Sequence, residues 1–252
     1  APEPVTIAEG FNGPMGILVD PEGNVWVIDS GLGGDEPLAV VIPESGEVAE
    51  AGFGNSAQIV MISAEDGTQT VVANLPSFAS EGGASGGNRL ALVDGVLYAT
   101  VGEWLSEPDI DPPAGMATLV TVNEDGTTTE VAQFWPHERD VNPYPPVMHA
   151  HPFGVIGGPD GMLWVANAGG NELQMVDPTT GAISTVVVFE PLPGVFPRPE
   201  YDNQLLTDPV PTAVTLGADG GIYVSLLSGA PFIPGNAKVM LVDAEGGAAS
   251  DY

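Results

Sequence analysis

The segment "HAHPFGV" places two of the chain's three histidines, His149 and His151, two positions apart. Residues i and i+2 of an extended backbone face the same side, so both imidazoles could reach one ion. Neutral imidazole suits zinc, copper, nickel and iron, and further ligands are available on the preceding loop from His137, Glu138 or Asp140. The alternative is that the two rings only pack or form hydrogen bonds beside that loop.

Two acidic segments offer a different kind of metal ligand. The segments "EPDIDPP" (107–113) and "ERDVN" (138–142) carry carboxylate oxygens, which calcium prefers, although neither has the spacing of an EF-hand. In so acidic a chain, some carboxylate pairs also arise by chance. The candidate cofactor is therefore Ca²⁺ or another divalent metal, and the sequence assigns no catalytic residue.

The charge of the chain narrows the choice of partners. Its 252 residues include 34 acidic but only 4 basic ones, which gives a formal net charge of −30. Such a surface repels nucleic acid and anionic lipid and favours cations or cationic partners. A solubility or salt adaptation of a secreted protein would produce the same composition. The absence of cysteine excludes disulfides, thiol catalysis and cysteine-ligated metal sites.

The hydropathy pattern and the N-terminal segment bear on location. No apolar run approaches the ~18 residues that a membrane helix needs, so we expect no membrane insertion. The segment "APEPVTIAEG" resembles what remains after a signal peptide is cleaved at a small-residue site. We therefore expect an exported protein with a secreted, extracellular or periplasmic location.

A pattern of strand, glycine-containing turn and aromatic-bearing strand occurs four times. The copies are "MGILVDPEGNVWVIDSG", "RLALVDGVLYATVGE", "FGVIGGPDGMLWVANAG" and "TAVTLGADGGIYVSLLS", and a second hairpin follows each of them. Each unit therefore contains four short β-strands. Repeated four-stranded units are typical of the blades of a β-propeller. We predict an all-β chain with one propeller domain over 1–252 and blades at about 13–75, 86–134, 151–189 and 210–252.

The ends of the repeat predict an incomplete ring. Only four blades are visible, and the last strand, "GAASDY", is weak. A four-bladed ring is the alternative, but such rings are rare, and we therefore expect a C-terminally truncated part of a six-bladed propeller. The segment "VTIAE" (5–9) is predicted to act as a closing strand that pairs with the last blade.

The long connections are all predicted on one face of the disc, because the tight turns inside the hairpins share the other. These connections are 30–55, 102–115, 135–150, 190–209 and 228–236. Long loops on a rigid scaffold are where binding sites usually lie. The residues predicted for this binding face are Asp35, Glu107, Asp109, Asp111, His137, Arg139 and Tyr144.

Several segments resemble the ScyD/ScyE family, a group within the NHL-like and SMP-30-like six-bladed propellers. They are "NVWVIDSGLGG" (24–34), "VVANLPSFASEGGASGGNRLAL" (71–92), "GPDGMLWVANAGGNELQMVDPTTGAISTVVVF" (158–189) and "VPTAVTLGADGGIYVSLLSGAPFIPGNAKVMLVD" (210–243). The resemblance extends over about 10–243 and implies an exported propeller without fixing a reaction. Around His151 the chain departs from the family, in which an Asn/Ser-Pro-Tyr-Gly run is more usual.

The related SMP-30-like lactonases hold a divalent metal over the central channel with a Glu, an Asn and an Asp at strand entrances. The matching entrances of this chain carry Asn12, Asn88, His151 and Thr212, with Asp208 nearby. Because no Glu stands at the first entrance, the lactonase set is incomplete. The predicted metal set is therefore His149, His151, Asn88 and Asp208.

These features predict a non-catalytic module that binds a ligand or a protein, or assembles, through its long-loop face. A protein partner or self-assembly is expected, and a small molecule is a further candidate ligand. The alternative is a metal-dependent hydrolase or lyase with its site over the central channel.

Overall fold

The chain folds into antiparallel β-sheets, four of which follow one another along the sequence. The computed structural model describes residues 3–43, 45–107, 109–144, 148–159, 161–243 and 247–252. Sheet 1 has the order β1 (Pro14–Val19), β2 (Val25–Asp29), β4 (Val48–Ile62), β5 (Gln69–Ser80) and β6 (Gly83–Ser85). The prediction of an all-β chain is confirmed.

Each of the next three sheets has four strands in a simple up-and-down order. Sheet 2 contains β7 (Gly87–Val93), β8 (Val96–Val101), β10 (Thr118–Val122) and β11 (Thr128–Gln133). Sheet 3 contains β13 (Pro152–Gly157), β14 (Leu163–Asn167), β15 (Glu172–Val176) and β16 (Ile183–Val188). Sheet 4 contains β19 (Pro211–Leu216), β20 (Ile222–Leu226), β21 (Lys238–Val242) and β22 (Ala249–Asp251).

Four of the long connections contain regular structure rather than loop alone. β3 (Glu36–Val41) pairs with the first half of β4, β9 (Trp104–Leu105) pairs with β12 (His149–Ala150), and β17 (Leu192–Arg198) pairs with β18 (Gln204–Thr207). One helix, α1 (Phe134–Val141), and a 3₁₀ turn (Pro199–Tyr201) complete the regular elements of the described residues. β3 forms because Leu38 and Val40 alternate along it and both pack into the same core cluster.

Hydrogen bonds to an aspartate in the turn stabilise the first hairpin of sheets 1 and 4. In sheet 1 the Asp20 carboxylate accepts hydrogen bonds from the Asn24 backbone N–H and from Trp26 Nε1, both at 2.8 Å. In sheet 4 the Asp219 carboxylate accepts the Gly221 N–H at 3.0 Å and the Tyr223 hydroxyl at 2.6 Å. The aromatic residue at the start of the strand therefore ties each hairpin to its turn, since an Asp carboxylate readily accepts bonds within a turn.

The hydrophobic core lies between neighbouring sheets. The cluster between sheets 1 and 2 includes Ile28, Ile59 and Leu97, and the cluster between sheets 3 and 4 includes Trp164 and Ile222. A third cluster fills the space between sheets 2 and 3 and takes in the aromatic side chains of helix α1. Each sheet thus buries a face against a neighbouring sheet, as layered β-folds require.

The innermost strands pack in succession, β1 on β7, β7 on β13 and β13 on β19. This arrangement is the one that a β-propeller uses around its axis. Backbones approach closely there: a Cβ added to Gly154 in β13 would lie 2.9 Å from Ala213 Cα in β19. Glycine is therefore needed at position 154 for steric reasons.

Replacing Gly154 with alanine should destabilise the fold by about 1–2 kcal/mol, because the new methyl group would push the backbones of β13 and β19 apart. Urea denaturation measures the change. Gly82→Ala is the matched control, since a Cβ there meets only the Ser80 hydroxyl oxygen, at an ordinary 3.5 Å. Equal stability of the two variants would contradict the close packing of β13 on β19.

The predicted closing strand differs from the structure. Residues 5–9 belong to no strand, and Val5 and Ile7 are exposed. Sheet 4 already takes its fourth strand, β22, from the C-terminal segment, so no position is left for an N-terminal strand beside β21. In the described part of the chain, β19 does not pack on β1 as the other inner strands pack on one another.

In the described residues, no helix has the length and apolar character that a membrane crossing requires.

Candidate metal centre

Two short strands bring an acid and two histidines together. β9 and β12 pair in an antiparallel register that sets Leu105 opposite His149 and Trp104 opposite Ala150. One further step of the same register brings Glu103 opposite His151. Gly169 lies against this ribbon, where a Cβ would come within 2.6 Å of the His149 ring. The turn after β14 therefore needs a glycine to leave room for the imidazole.

The three side chains are in direct contact. Glu103 Oε2 lies 2.8 Å from His149 Nε2 and 3.3 Å from His151 Nδ1. The two imidazole centroids are 5.7 Å apart, with the rings tilted by 33°. His149 is buried, and Glu103 and His151 are partly buried. Among the described residues, this is the one group of three or more His, Asp or Glu side chains whose ligand atoms lie within 4.8 Å of one another.

The protonation states suit metal binding. Burial lowers the pKa of His151 to about 4, so the ring is neutral at pH 7. Burial opposes ionisation of Glu103, but the neighbouring His151 and the hydrogen bond with His149 lower the pKa of this carboxyl to about 2. The site therefore offers a carboxylate and a neutral imidazole, which are the forms that ligate metals.

The spacing of the donor atoms fits a small divalent ion. Bonds of about 2.0–2.1 Å to a tetrahedral ion separate neighbouring ligand atoms by about 3.3 Å. Glu103 Oε2 lies 2.8 Å from His149 Nε2 and 3.3 Å from His151 Nδ1. Only the first of these distances must lengthen slightly to admit the ion. Two nitrogens and one oxygen favour Zn²⁺ and similar transition metals over Ca²⁺, which prefers oxygen alone.

The three side chains line a cavity of about 750 Å³. Each of the five long connections contributes to its wall, for example through Pro43, Trp104, Met148, Arg198 and Phe232. Much of the remaining lining is apolar or aromatic. A cavity of this size with few polar groups has the character of a site for a small molecule.

The predicted metal set is only partly brought together. His149 and His151 belong to the centre, whereas Asn88 does not line the cavity. Its Nδ2 donates to the carbonyls of Gly102, at 3.2 Å, and Pro152, at 2.9 Å. Asn88 thus ties β7 to the neighbouring sheet. Asp208 lines the same cavity but pairs with Arg198 at 2.6 Å, so it lies outside the three-residue centre.

The residues predicted for a binding face are spread over several environments. Asp35, Glu107 and Asp109 are exposed. Arg139 pairs with Asp140 at 2.7 Å and lies 3.5 Å from Asp111. None of these residues lines the cavity in the described structure. Whether they form an interface stays a prediction.

Two further predicted residues turn inward. His137 is partly buried on helix α1, and its Nε2 lies 3.3 Å from the Thr185 hydroxyl of β16. Burial lowers the pKa of His137, and its bond to β16 places it outside the metal centre. Tyr144 is buried, and its hydroxyl donates to Asp208 Oδ1 at 3.1 Å.

A buried acid pair lies behind the centre. Glu138 Oε1 accepts the backbone N–H of His149 at 3.3 Å, while its Oε2 has no hydrogen-bond partner. Burial and the neighbouring Glu172 raise the pKa of Glu138 to about 8. Burial raises the pKa of Glu172 to about 7, although Thr185 and Gln174 donate to its oxygens at 2.7 and 2.6 Å. Glu138, a candidate ligand in the sequence, therefore supports the strand that carries His149.

The sequence did not point to Glu103. It is one of 34 acidic residues, and nothing in the spacing around it distinguishes it from the others. Its position directly after β8, at the start of a long connection, is the one signal that was available. Its partners are 46 and 48 residues away, and only the pairing of β9 with β12 reveals them.

No family model matches the sequence, and no curated protein matches it. Solved structures do match. A protein of unknown function from Bacteroides thetaiotaomicron superposes with a TM-score of 0.53 at 10% identity, over 96% of this chain and 44% of that one. Virginiamycin B lyase from Staphylococcus aureus has a TM-score of 0.41 at 16% identity, over 95% and 84% of the two chains. A putative gluconolactonase has a TM-score of 0.46 at 15% identity, over 95% and 77%.

These likenesses concern the fold alone. The chain spans less than half of the Bacteroides protein, and the identities are too low to carry over an activity. The neighbours include lyase and gluconolactonase-type proteins, and the succession of antiparallel sheets is propeller-like. The ScyD/ScyE resemblance and the number of blades stay predictions.

Proposed function

We propose that this chain is a metal-dependent binding protein whose ligand enters the cavity beside Glu103, His149 and His151. The observation that carries the proposal is the convergence of these three side chains on the wall of one cavity to which all five long connections contribute. The proposal refines the non-catalytic binding role predicted from the sequence.

The chemistry of the site follows from its groups. A bound divalent ion would supply a Lewis acid for a carbonyl, carboxylate or hydroxyl oxygen of the ligand. Glu103 provides the negative charge and the imidazoles provide nitrogen donors. Glu138 accepts the His149 backbone N–H from behind and so restrains the strand that presents both histidines.

A metal-dependent hydrolase or lyase is the second candidate. Catalytic zinc sites have three protein ligands and an open position, whereas structural sites have four protein ligands. Within the described residues, no fourth His, Asp or Glu joins the three ligand atoms. The remaining coordination positions would therefore be available to water or substrate from the cavity.

Metal titration tests the proposal. The chelator-treated 252-residue chain should bind about one Zn²⁺ by isothermal titration calorimetry, and more tightly than Ca²⁺ because two donors are nitrogen. Elemental analysis of the reloaded protein gives an independent stoichiometry. Less than about a tenth of an ion per chain, or a preference for Ca²⁺, would contradict the proposal.

A further inference from the structure

Asp208 forms a second polar group on the cavity wall, directly after β18. Arg198 Nη2 donates to Asp208 Oδ1 at 2.6 Å, and the Tyr144 hydroxyl donates to the same oxygen at 3.1 Å. Among the described residues, Asp208 Oδ2 has no hydrogen-bond partner. Two donors on one oxygen fix the carboxylate and leave the other oxygen as an acceptor.

Both groups that donate hydrogen bonds to Asp208 keep their protons. The guanidinium of Arg198 stays protonated in proteins. Burial raises the pKa of Tyr144, and the neighbouring Asp208 raises it further, so the hydroxyl keeps its proton. Arg198 and Tyr144 are therefore positioning residues that orient the carboxylate.

The charge at this end of the cavity is negative. Arg198 lies within salt-bridge distance of two carboxylates, Asp208 at 2.6 Å and Glu200 at 3.6 Å. Two carboxylates and one guanidinium leave a formal charge of −1. This end of the cavity therefore attracts a cation and repels an anion, and the net negative charge of the whole chain acts in the same direction.

Two phenylalanine side chains line the same cavity as Asp208. Phe196 is two residues before Arg198 on β17, so the two side chains share a face of the strand. The Phe232 N–H bonds to the Gly229 carbonyl, and the Gly229 N–H bonds to the Asp208 carbonyl. Both rings line the cavity and are 48% and 58% exposed, so they can contact a ligand. Aromatic faces attract ammonium groups.

We propose, on the basis of the metal-dependent binding proposed above, that the ligand is an amphipathic amine. Its oxygen-bearing end meets the metal centre at Glu103, His149 and His151, its apolar body lies along the cavity, and its ammonium group binds Asp208 Oδ2 between Phe196 and Phe232.

A matched series of hydroxamates tests the ammonium subsite. Each ω-ammonioalkyl hydroxamate is compared with the methyl-terminated hydroxamate of the same length, over a range of chain lengths, by calorimetry on the Zn²⁺-loaded full chain. In at least one length, the wild type should prefer the ammonium compound by about tenfold or more. The length with the largest preference reports the separation of the two ends of the site.

Two variants separate this subsite from the general attraction of an acidic chain for cations. In Asp208→Asn the preference should fall below about twofold, because the charge facing the ammonium group is lost. Asp202→Asn is the matched control: it removes the same charge from an exposed residue of the β17–β18 connection and should leave the preference intact. Circular dichroism checks that both variants fold. The comparison of ammonium and methyl-terminated hydroxamates on the wild type does not depend on the folding of either variant.

The outcomes distinguish the two proposals. Metal-dependent binding without an ammonium preference at any length, or a preference that persists in Asp208→Asn, would overturn the amine subsite and leave metal-dependent binding standing. Failure of every hydroxamate to bind in a metal-dependent manner would overturn both.

Discussion

Replacing Glu103 with glutamine should weaken Zn²⁺ binding about 100-fold or more, since loss of a supporting residue alone costs about 10–100-fold. The glutamine side chain has nearly the same shape but no charge, and Glu103 Oε2 is the atom that contacts both histidines. His151→Ala should have an effect of similar size, because it removes a neutral nitrogen donor. Calorimetric titration of chelator-treated protein measures both affinities.

The matched control for Glu103 is Glu107→Gln. Glu107 is an exposed carboxylate on the same connection, so its loss changes the net charge equally without touching the centre. Its Zn²⁺ affinity should stay within about twofold of the wild type, because water and salt screen the charge of an exposed side chain. If Glu103→Gln and Glu107→Gln weaken binding equally, the effect is general electrostatics and the centre is not a metal site.

The Glu103→Gln variant also distinguishes a structural role of this residue from a role as metal ligand. In the metal-free protein Glu103 forms a hydrogen bond with His149 and lies 3.3 Å from His151, and a glutamine can partly replace these contacts. In a metal site it must supply charge, which a glutamine cannot. A variant that keeps its thermal stability but loses Zn²⁺ affinity therefore identifies a ligand rather than a structural contact.

The sheets were predictable because their signals are local. A turn such as "DPEGN" and an aromatic residue a few positions later specify a hairpin within about ten residues, and Asp20 and Trp26 show the hydrogen bond that links them. The strands β9 and β12 were not predictable. Each has two residues, too few to show alternation, and they pair across more than 40 positions of sequence.

The metal centre was half predictable for the same reason. The same-side rule for an extended backbone found His149 and His151, because both lie on one short segment. Glu103 required the long-range register of β9 and β12. Asn88 and Asp208 were placed near the channel by analogy with lactonases, but Asn88 Nδ2 donates to backbone carbonyls and one oxygen of Asp208 accepts from Arg198. Polar residues at equivalent strand entrances therefore need not share a role.

Helix α1 joins the metal centre to a part of the core that titrates. Its Glu138 bonds the His149 N–H on one side and faces Glu172 on the other. Glu138 and Glu172 have little access to water, so ionising both carboxyls costs free energy. These two residues therefore keep protons that they would release in the unfolded chain. The stability of the fold should therefore depend on pH.

The free energy of unfolding should fall as pH rises from about 4.5 to about 8, between the ordinary pKa of a glutamate and the raised pKa values of Glu172 and Glu138. The pKa of Glu172 is raised to about 7 in the folded state, above its ordinary value, so the folded chain binds more protons than the unfolded chain in this window. Stability must then decrease with pH, by on the order of 3 kcal/mol for this residue. Urea denaturation at several pH values measures the slope.

Glu172→Gln should flatten this dependence and make the protein more stable than the wild type at about pH 9, because the amide stays neutral in the core. Glutamine can still accept from Gln174 Nε2, and the Thr185 hydroxyl can reverse to accept from the new amide. The control is Glu124→Gln, an exposed turn residue, which retains the slope that the net charge of −30 itself imposes. A Glu172→Gln variant with the same slope as this control would show that the buried pair does not hold its protons, and that the packing around Glu138 tolerates two charges.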